Sequence, residues 1–321
     1  MKGNWKLQLR LWLVMVLMFG LVYFVLILAA NLLGYGGFYS IYAIIGLVVI
    51  FIQYLAGPKL VEMSMNVRYV SSKEAPYIHE MVEELAKEAG IPKPKVGVSD
   101  ISVPNAFAYG RSKRSGHVCV TSGILGLLSR DELKAVLGHE IGHIKHNDMA
   151  ITTIVSAVPM ICYYVALSFL FSRNDNNNGL GLIVGIIGFA AYLVGQLLVL
   201  FVSRIREYYA DAASVEFGND PKHLASALYK LVYGAAKAPN DQIKEMSQSR
   251  AFFLNDIKDT NRDIRSLRQL DLDNDGTISD DELKYIRDSN VEIKTSEKLM
   301  ELWSTHPNML KRIKRLSKLQ N

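Results

Sequence analysis

The chain has 321 residues, of which half are hydrophobic and 21% are charged, and its mean hydropathy is +0.14. This composition excludes a disordered or low-complexity chain, because such chains have few apolar residues and a high net charge. The net charge of +5 is small, and we expect no nucleic-acid partner.

Four uncharged stretches interrupt the chain, and each is longer than the roughly 20 residues that a helix needs to cross a bilayer. They are Leu11–Leu33, Gly36–Gly57, Ala150–Phe171 and Leu180–Ser203. The first is too long for a signal-peptide core and a second follows directly, so a retained anchor is favoured over a cleaved signal. For the second pair, a buried helical hairpin of a soluble domain is the alternative.

The predicted organisation is therefore two membrane hairpins, residues 1–57 and 150–203, and one domain assembled from residues 58–149 and 204–321. Lysine and arginine are scarce in the turn near Gly34 and in the loop before Leu180, and they are abundant at the opposite ends of the spans. By the positive-inside rule, both termini and both soluble segments are cytoplasmic in a multi-pass protein of the cell membrane. The cysteines Cys119 and Cys162 are not expected to pair.

The first soluble segment alternates between helix and strand patterns. Tyr77–Gly90 predicts an amphipathic helix, and short strands follow at Lys95–Val98, Asn105–Tyr109 and His117–Ser122. Ser129 and Glu132 form a capping box that starts a helix running toward Met149. The fold class is α+β and mostly helical.

That helix contains the sequence His139-Glu140-Ile141-Gly142-His143. Histidines four residues apart share a helix face, so both imidazoles can bind one zinc ion. Glu140 then lies beside the metal, where it can take a proton from a bound water and deliver it to a leaving amine. The alternative is a pair of ordinary histidines on an amphipathic helix.

A catalytic zinc needs a third protein ligand, and Glu207 is the candidate. Glu207 and Asp211 are four residues apart on another predicted helix, so Glu207 can bind the metal while Asp211 accepts the free N–H of a histidine ligand. His143 shortly precedes the third span and Glu207 shortly follows the fourth, so one hairpin holds both helices together. A solvated acidic pair is the alternative.

Several motifs in the same order resemble the HtpX-like membrane zinc metalloproteases, relatives of the CAAX prenyl proteases and of soluble gluzincin peptidases. They are Glu84–Pro94, Pro104–Arg111, Thr121–Leu125, Leu133–Asp148, Ser203–Asp211, Ser304–Pro307 and Arg312-Ile313. The resemblance implies a zincin-like cytoplasmic domain that hydrolyses peptide bonds, with the zinc ligands, the base and the supporting aspartate as assigned above. The sequence departs from the family pattern at Asn308, where a second proline is common.

The resemblance also implies roles for residues outside these two helices. Asn105, Ala106 and Phe107 correspond to the edge strand that pairs with an extended substrate. His306 and Arg312 correspond to a histidine and an arginine that stabilise the oxyanion of the tetrahedral intermediate. A structural role of His306 in packing the C-terminal helix is the alternative. His146, one turn beyond His143, is expected at the surface.

The resemblance lapses between about residues 255 and 298, where a twelve-residue acidic loop fits the EF-hand pattern of calcium ligands. The predicted ligands are Asp271, Asp273, Asp275, Thr277, Ser279 and Glu282, with Gly276 at the turn. Apolar residues on both sides predict an entering helix (Ile264, Leu267, Leu270) and an exiting helix (Leu283, Ile286). A solvated acidic loop without a cation is the alternative.

Together these features predict an integral-membrane zinc endopeptidase with one catalytic Zn²⁺ and one Ca²⁺ in the inserted loop. The resemblance implies that it cleaves misfolded or damaged membrane proteins at the cytoplasmic face, as protein quality control, and calcium is expected to modulate this activity. The alternatives are a calcium-responsive membrane adaptor with a structural metal site and a CAAX-type prenyl-peptide protease. A transporter is excluded, because no span contains a charged residue. The sequence predicts no oligomeric state.

Overall fold

The structure is a computed structural model. It describes residues 39–170, 180–236, 269–288 and 299–320, together with single positions between Leu13 and Val25 and at Ile264 and Leu267. The chain divides into two compact units, of which the first comprises residues 1–56 and 150–205 and the second residues 57–149 and 206–321.

Thirteen elements follow one another in the described residues, besides one short 3-10 helix, Lys113–Ser115. In chain order they are α1 (Tyr39–Ser64), β1 (Val67–Tyr69), α2 (Pro76–Ala89), β2 (Lys95–Ser99), β3 (Ala106–Gly110), β4 (Gly116–Thr121), α3 (Ser122–Leu125), α4 (Arg130–Lys145), α5 (Asp148–Leu170), α6 (Leu180–Glu216), α7 (Pro221–Ala236), α8 (Asp280–Asp288) and α9 (Met309–Leu316).

Most sequence-predicted elements of the second unit are confirmed. Helix α2 ends at Gly90 in the left-handed conformation, and strands β2, β3 and β4 lie within one residue of their predicted bounds. The capping box of α4 is present, since Ser129 accepts a hydrogen bond from the Glu132 N–H and Glu132 accepts one from the Ser129 N–H.

The predicted continuation of α4 toward Met149 is wrong, because the helix ends at Lys145. Asn147 has a positive φ of 55°, a left-handed conformation that asparagine tolerates better than most residues do. The chain turns there, and α5 begins as a separate helix at Asp148. His146 caps α4 and is half-buried, not a surface residue as expected.

A four-stranded sheet with the strand order β1-β2-β4-β3 forms the centre of the second unit. β2 and β4 are parallel, and the other two pairings are antiparallel. One face of the sheet packs on α2 and α4 in the main hydrophobic core. The other face carries Phe107, Tyr109 and Cys119, which pack against Val61 and Met65 near the end of α1. This order leaves β3 at an edge, next to α4.

Two glycines of α4 allow a close crossing with the last turns of α6. A Cβ atom on Gly142 would lie 2.9 Å from the Ala213 Cβ and 3.2 Å from the Ala210 Cα, and one on Gly138 would lie 2.8 Å from the Ser214 Oγ. The Ser214 hydroxyl donates to the Ala135 carbonyl oxygen at 2.6 Å across this crossing. The crossing places one face of α4 against the part of α6 that contains the predicted ligand Glu207 and the predicted supporting residue Asp211.

Two helices of the described residues, Asp148–Leu170 and Gly181–Glu216, are long and apolar enough to cross a membrane. They approach each other closely where Gly188 lies against Ala166 and Gly195 against Pro159. The second predicted span falls largely on α1, which begins at Tyr39. The first, Leu11–Leu33, lies outside the described residues except for single positions.

Candidate metal centre

Three side chains of the second unit converge on one point between α4 and α6. The Nε2 atoms of His139 and His143 are 3.1 Å apart. Glu207 Oε2 lies 3.5 Å from the His139 Nε2, and Glu207 Oε1 lies 3.6 Å from the His143 Nε2. His139 and Glu207 are buried, and His143 is partly buried. These are the three side chains that the sequence predicts as zinc ligands.

The donor atoms fit a tetrahedral metal site. Each histidine has a carboxylate at its Nδ1, Asp211 at 2.9 Å for His139 and Asp148 at 2.6 Å for His143. With both Nδ1 atoms donating, both Nε2 atoms present lone pairs, and two lone pairs at 3.1 Å repel unless a positive charge lies between them. Ligands at 2.0–2.1 Å from zinc are about 3.3 Å apart in a tetrahedron, close to the distances here.

The electrostatics of the two rings also favour one positive charge between them. Burial disfavours the imidazolium form of His139, but the carboxylates of Asp211 and Glu207 outweigh it and raise its pKa to about 9. Burial, together with the charge on His139, lowers the pKa of His143 to about 3. A divalent cation supplies positive charge at the same place and leaves both rings as neutral ligands.

Glu140 lies on α4 beside this point and is 3% exposed. Burial raises the pKa of its carboxyl group to about 8, and the positive charge of His139 and a hydrogen bond from the Ala108 backbone N–H oppose the rise. A nearby divalent cation would also oppose the rise and bring the pKa of Glu140 below this value. A carboxyl group with a pKa near neutrality is suited to taking up a proton and releasing it again.

Arg312 of α9 joins the carboxylates of the site. Its guanidinium donates to both oxygens of Asp211, at 3.0 and 2.6 Å, and its Nη1 lies 3.0 Å from Glu207 Oε2. Burial alone would raise the pKa of Glu207, but His306 and Arg312 hold it well below its usual value. Arg312 therefore keeps Glu207 ionised and holds Asp211 against His139.

His306 lies in the turn before α9, and its Nδ1 is 3.4 Å from Glu207 Oε1. Both of its ring nitrogens are buried, and neither has a hydrogen-bond partner with good geometry. Buried polar atoms without a partner are uncommon in folded proteins. The structure thus brings both residues that the resemblance implies, His306 and Arg312, to the metal centre.

Sequence reasoning missed Asp148 and Arg206. Asp148, the first residue of α5, bonds the Nδ1 of His143, and Arg206 of α6 forms an ion pair with Asp148. The available signals were a single carboxylate at the start of an apolar helix and an arginine next to Glu207.

The predicted substrate-binding segment lies at the edge of the sheet. Ala106 and Phe107 begin β3, and Asn105 precedes it and is joined to Thr121, whose Oγ1 accepts the Asn105 N–H at 2.8 Å. The next residue of the strand, Ala108, donates its N–H to Glu140. β3 therefore runs beside the proposed base.

The predicted calcium loop is a separate cluster in the second unit. Carboxylate oxygens of Asp271, Asp273 and Asp275 lie within 4.8 Å of one another, and Gly276 has a φ of 83°. Glu282 lies outside this group, because its oxygens accept hydrogen bonds from the N–H groups of Leu272 and Ser279. Thr277 Oγ1 donates to Asp275, and the Ser279 hydroxyl donates to Glu282.

Comparisons with known proteins agree with this site. The profile of peptidase family M48 matches residues 72–320. The chain is 60% identical to the protease HtpX homolog of Methanothermobacter thermautotrophicus over 230 residues, which cover 72% of this chain and 87% of that protein. It is 35% identical to the protease HtpX homolog of a Sulfurihydrogenibium species over 286 residues, which cover 86% and 85%.

The fold is similar to that in the crystal structure of Ste24p from S. mikatae. The TM-score is 0.53 at 17% sequence identity, and the match covers 96% of this chain and 67% of Ste24p. At this identity the likeness concerns the fold alone. The family match over most of the chain carries more: the chain belongs to peptidase family M48 and to its HtpX-like branch of membrane-bound zinc metalloproteases.

Proposed function

We propose that the protein is a zinc-dependent endopeptidase of the cell membrane, in which His139, His143 and Glu207 bind the zinc ion. The observation that supports this most is the convergence of these three donors next to the buried carboxyl group of Glu140, which is not needed as a metal ligand. A structural metal site, as in the adaptor alternative, has no use for a base at this place.

Zinc, when bound, would polarise the scissile carbonyl and make a bound water acidic. Glu140 would accept the proton of that water and pass it to the departing amine nitrogen. Its buried position and the hydrogen bond from Ala108 hold the carboxyl group in place for both transfers. Asp211 would fix the tautomer of His139 so that its Nε2 faces the metal.

His306 is the proposed partner of the oxyanion, because its ring nitrogens are buried near Glu207 and carry no other hydrogen bond. The Arg312 guanidinium contacts Asp211 and Glu207, so its proposed role combines holding these carboxylates with the positive charge that favours an oxyanion nearby. An extended peptide would bind along β3 from Asn105 to Phe107 by adding a strand to the sheet edge.

Membrane proteins are the proposed substrates. Only 39% and 28% of the apolar stretches of α5 and α6 are buried, which supports a membrane hairpin over a buried hairpin of a soluble domain. We propose four spans, in hairpins 1–57 and 150–203, with the termini and the protease domain (58–149 and 204–321) in the cytoplasm. Misfolded chains near the bilayer would then reach the site at the cytoplasmic face.

We further propose that the inserted loop binds Ca²⁺ through Asp271, Asp273 and Asp275, the carbonyl of Thr277, Ser279 and, after exchanging its present hydrogen bonds, Glu282. Two side-chain interactions join the loop region to α7. The Tyr229 hydroxyl of α7 donates to Asp271 at 2.8 Å, and Lys222 of the same helix pairs with Asp280 at 2.7 Å. Calcium would thereby act on the protease through α7.

The function is tested with the full chain in detergent micelles and an unfolded model protein as substrate. We expect zinc added after chelation to restore cleavage, and Glu140→Gln to reduce cleavage about 10²–10⁴-fold, the usual contribution of a general base. The matched control is Glu84→Gln, which changes an exposed ion pair with Lys134. Cleavage by Glu140→Gln at the wild-type rate, or cleavage independent of zinc, would contradict the proposal.

A further inference from the structure

We propose that Asp148 and Arg206 are positioning residues for the zinc ligand His143, and that they tie the metal site to the helices α5 and α6. The inference rests on the proposed zinc function. It concerns two buried charged side chains that are not metal ligands and that the hydrolytic steps above do not use.

The geometry is that of a buried chain of three groups. Asp148 Oδ2 lies 2.6 Å from His143 Nδ1. The other oxygen of Asp148 forms an ion pair with the Arg206 guanidinium, which also lies 3.4 Å from the His146 carbonyl oxygen. Asp148 and Arg206 are each 5% exposed. A buried ion pair of this kind costs desolvation energy, so its position at a metal ligand calls for a local role.

The role follows from the two tautomers of imidazole. Only when the hydrogen is on Nδ1 does Nε2 have a free lone pair for the metal, and a carboxylate at Nδ1 selects this tautomer and orients the ring. Arg206 in turn pairs with the other oxygen of Asp148 and thereby fixes the rotation of the carboxylate toward His143. Without the arginine, this oxygen would lose its buried ion pair and the carboxylate would be free to rotate away from His143.

The positions of Asp148 and Arg206 in the chain connect His143 to two helices. Asp148 is the first residue of α5, and Arg206 follows the apolar stretch of α6 by one turn of helix. His143 is thus oriented by the first residue of α5 and by a residue that follows the apolar stretch of α6. His139 is held instead by Asp211 of α6 and Arg312 of α9, so the two histidines share α6 but otherwise depend on different elements.

The experiment measures zinc affinity in the full-length protein in micelles, by competition with a chromophoric chelator, and the visible absorption of the Co²⁺-substituted protein. We expect Asp148→Asn and Arg206→Gln to weaken zinc binding about 10–100-fold and to alter the Co²⁺ spectrum. Asp148→Glu should recover part of the affinity. The control Asp220→Asn removes a charge paired with Lys222 at the surface and should leave both readouts unchanged.

The outcomes separate this inference from the proposed function. Wild-type protein that binds neither zinc nor Co²⁺ would contradict the zinc function. Wild-type protein that binds zinc, with variants that bind it equally tightly and give the same spectrum, would overturn the inference. If the variants do not fold, nitrogen NMR of the zinc-loaded wild type decides: a hydrogen on Nδ1 of His143 supports the inference, and one on Nε2 overturns it.

Discussion

At the scale of single residues, the metal centre is a cluster of buried side chains with charges of both signs. Three carboxylates face two guanidinium groups, and Glu140 adds a fourth carboxyl group when it is ionised. The carboxylates are those of Asp148, Asp211 and Glu207, and the guanidinium groups are those of Arg206 and Arg312. When Glu140 is ionised and both histidines are neutral, the four carboxylates exceed the two guanidinium groups by two negative charges, which equals the charge of a divalent cation. Binding of Zn²⁺ would therefore neutralise a group of charges that is costly to bury alone.

Spacing along a helix predicts four residues of this centre, whereas Arg312 is predicted only through the family resemblance. His139 and His143, like Glu207 and Asp211, are four residues apart, and helix geometry alone brings each pair to one face. Helical spacing does not predict the position of Asp148, because the left-handed turn at Asn147 interrupts the helix before it. Its contact with His143 depends on that turn, which no periodicity indicates.

The buried carboxylate of Glu132, outside the metal centre, leads to a prediction about how stability depends on pH. Burial alone would raise its pKa, but hydrogen bonds from Lys230, Ser226 and the Ser129 N–H outweigh burial and lower the pKa below its usual value. A lowered pKa stabilises the fold above the unfolded-state pKa, and this contribution is lost as the pH falls through the folded-state value. We expect Glu132→Gln to cost about 1–3 kcal/mol at pH 7 and less below about pH 4.

The measurement is denaturant unfolding in micelles as a function of pH, with Glu84→Gln as the control. Glu84 also pairs with a lysine, but its side chain is 56% exposed, and such pairs contribute about 0–1 kcal/mol. A difference between wild type and Glu132→Gln that stays constant from pH 7 to about pH 2 would refute the linkage.

At the scale of elements, the crossing of α4 and α6 determines whether the site forms. The two helices carry all three proposed ligands, and Gly138 and Gly142 let them approach within the distance that the metal requires. In an isolated helix, alanine is favoured over glycine by about 1 kcal/mol. Here we expect the opposite, because the added methyl group would meet the Ala213 Cβ at 2.9 Å and the backbone of Ala210 at 3.2 Å.

Gly142→Ala should therefore destabilise the protein by about 1–3 kcal/mol, the usual cost of overpacking, and should weaken zinc binding by separating the helices. Thermal unfolding and chelator competition measure the two effects. Gly126→Ala is the matched control, since nothing lies within 4 Å of a Cβ at Gly126 and its φ of −86° suits alanine. Higher stability of Gly142→Ala than of wild type would show that the crossing is looser than described.

The elements of the protease domain differ in how far the sequence predicts them. Helix α2, strands β2 to β4 and the start of α4 follow from periodicity and capping, which are local. Strand β1 has three residues directly after α1, too few for an alternating pattern. It is a strand because of its pairing with β2, and pairing across the sheet cannot be read from three residues.

At the scale of the whole molecule, the calcium loop should contribute to the stability of the protease domain. A ligand that binds only the folded state stabilises it by mass action. A Ca²⁺ concentration of roughly 10 mM is about 10–100 times the dissociation constant of a weak EF-hand loop. We expect this calcium concentration to raise the unfolding midpoint of the full chain by about 2–5 °C. At fixed zinc, the rate of cleavage should also change between chelated and added calcium.

Two variants in the same segment test whether the loop is responsible. Asp271→Asn removes the first predicted ligand, which is buried and bonded to Tyr229, and should abolish the shift. Asp281→Asn removes a charge that is 96% exposed and lies outside the predicted ligand positions, and should retain it. An equal shift in wild type and Asp271→Asn would place the effect of calcium elsewhere in the molecule.

The order of the ligands along the chain has a consequence for biosynthesis. The two histidines precede α5, and Glu207 follows the apolar stretch of α6, so a growing chain contains α5 and the apolar part of α6 before it contains the third proposed ligand. A nascent or truncated chain that stops before Glu207 has the two histidines and Glu140 but lacks the third proposed ligand. With the proposed ligand set, proteolytic activity therefore requires that synthesis has passed Glu207, and so it follows the synthesis of both α5 and α6.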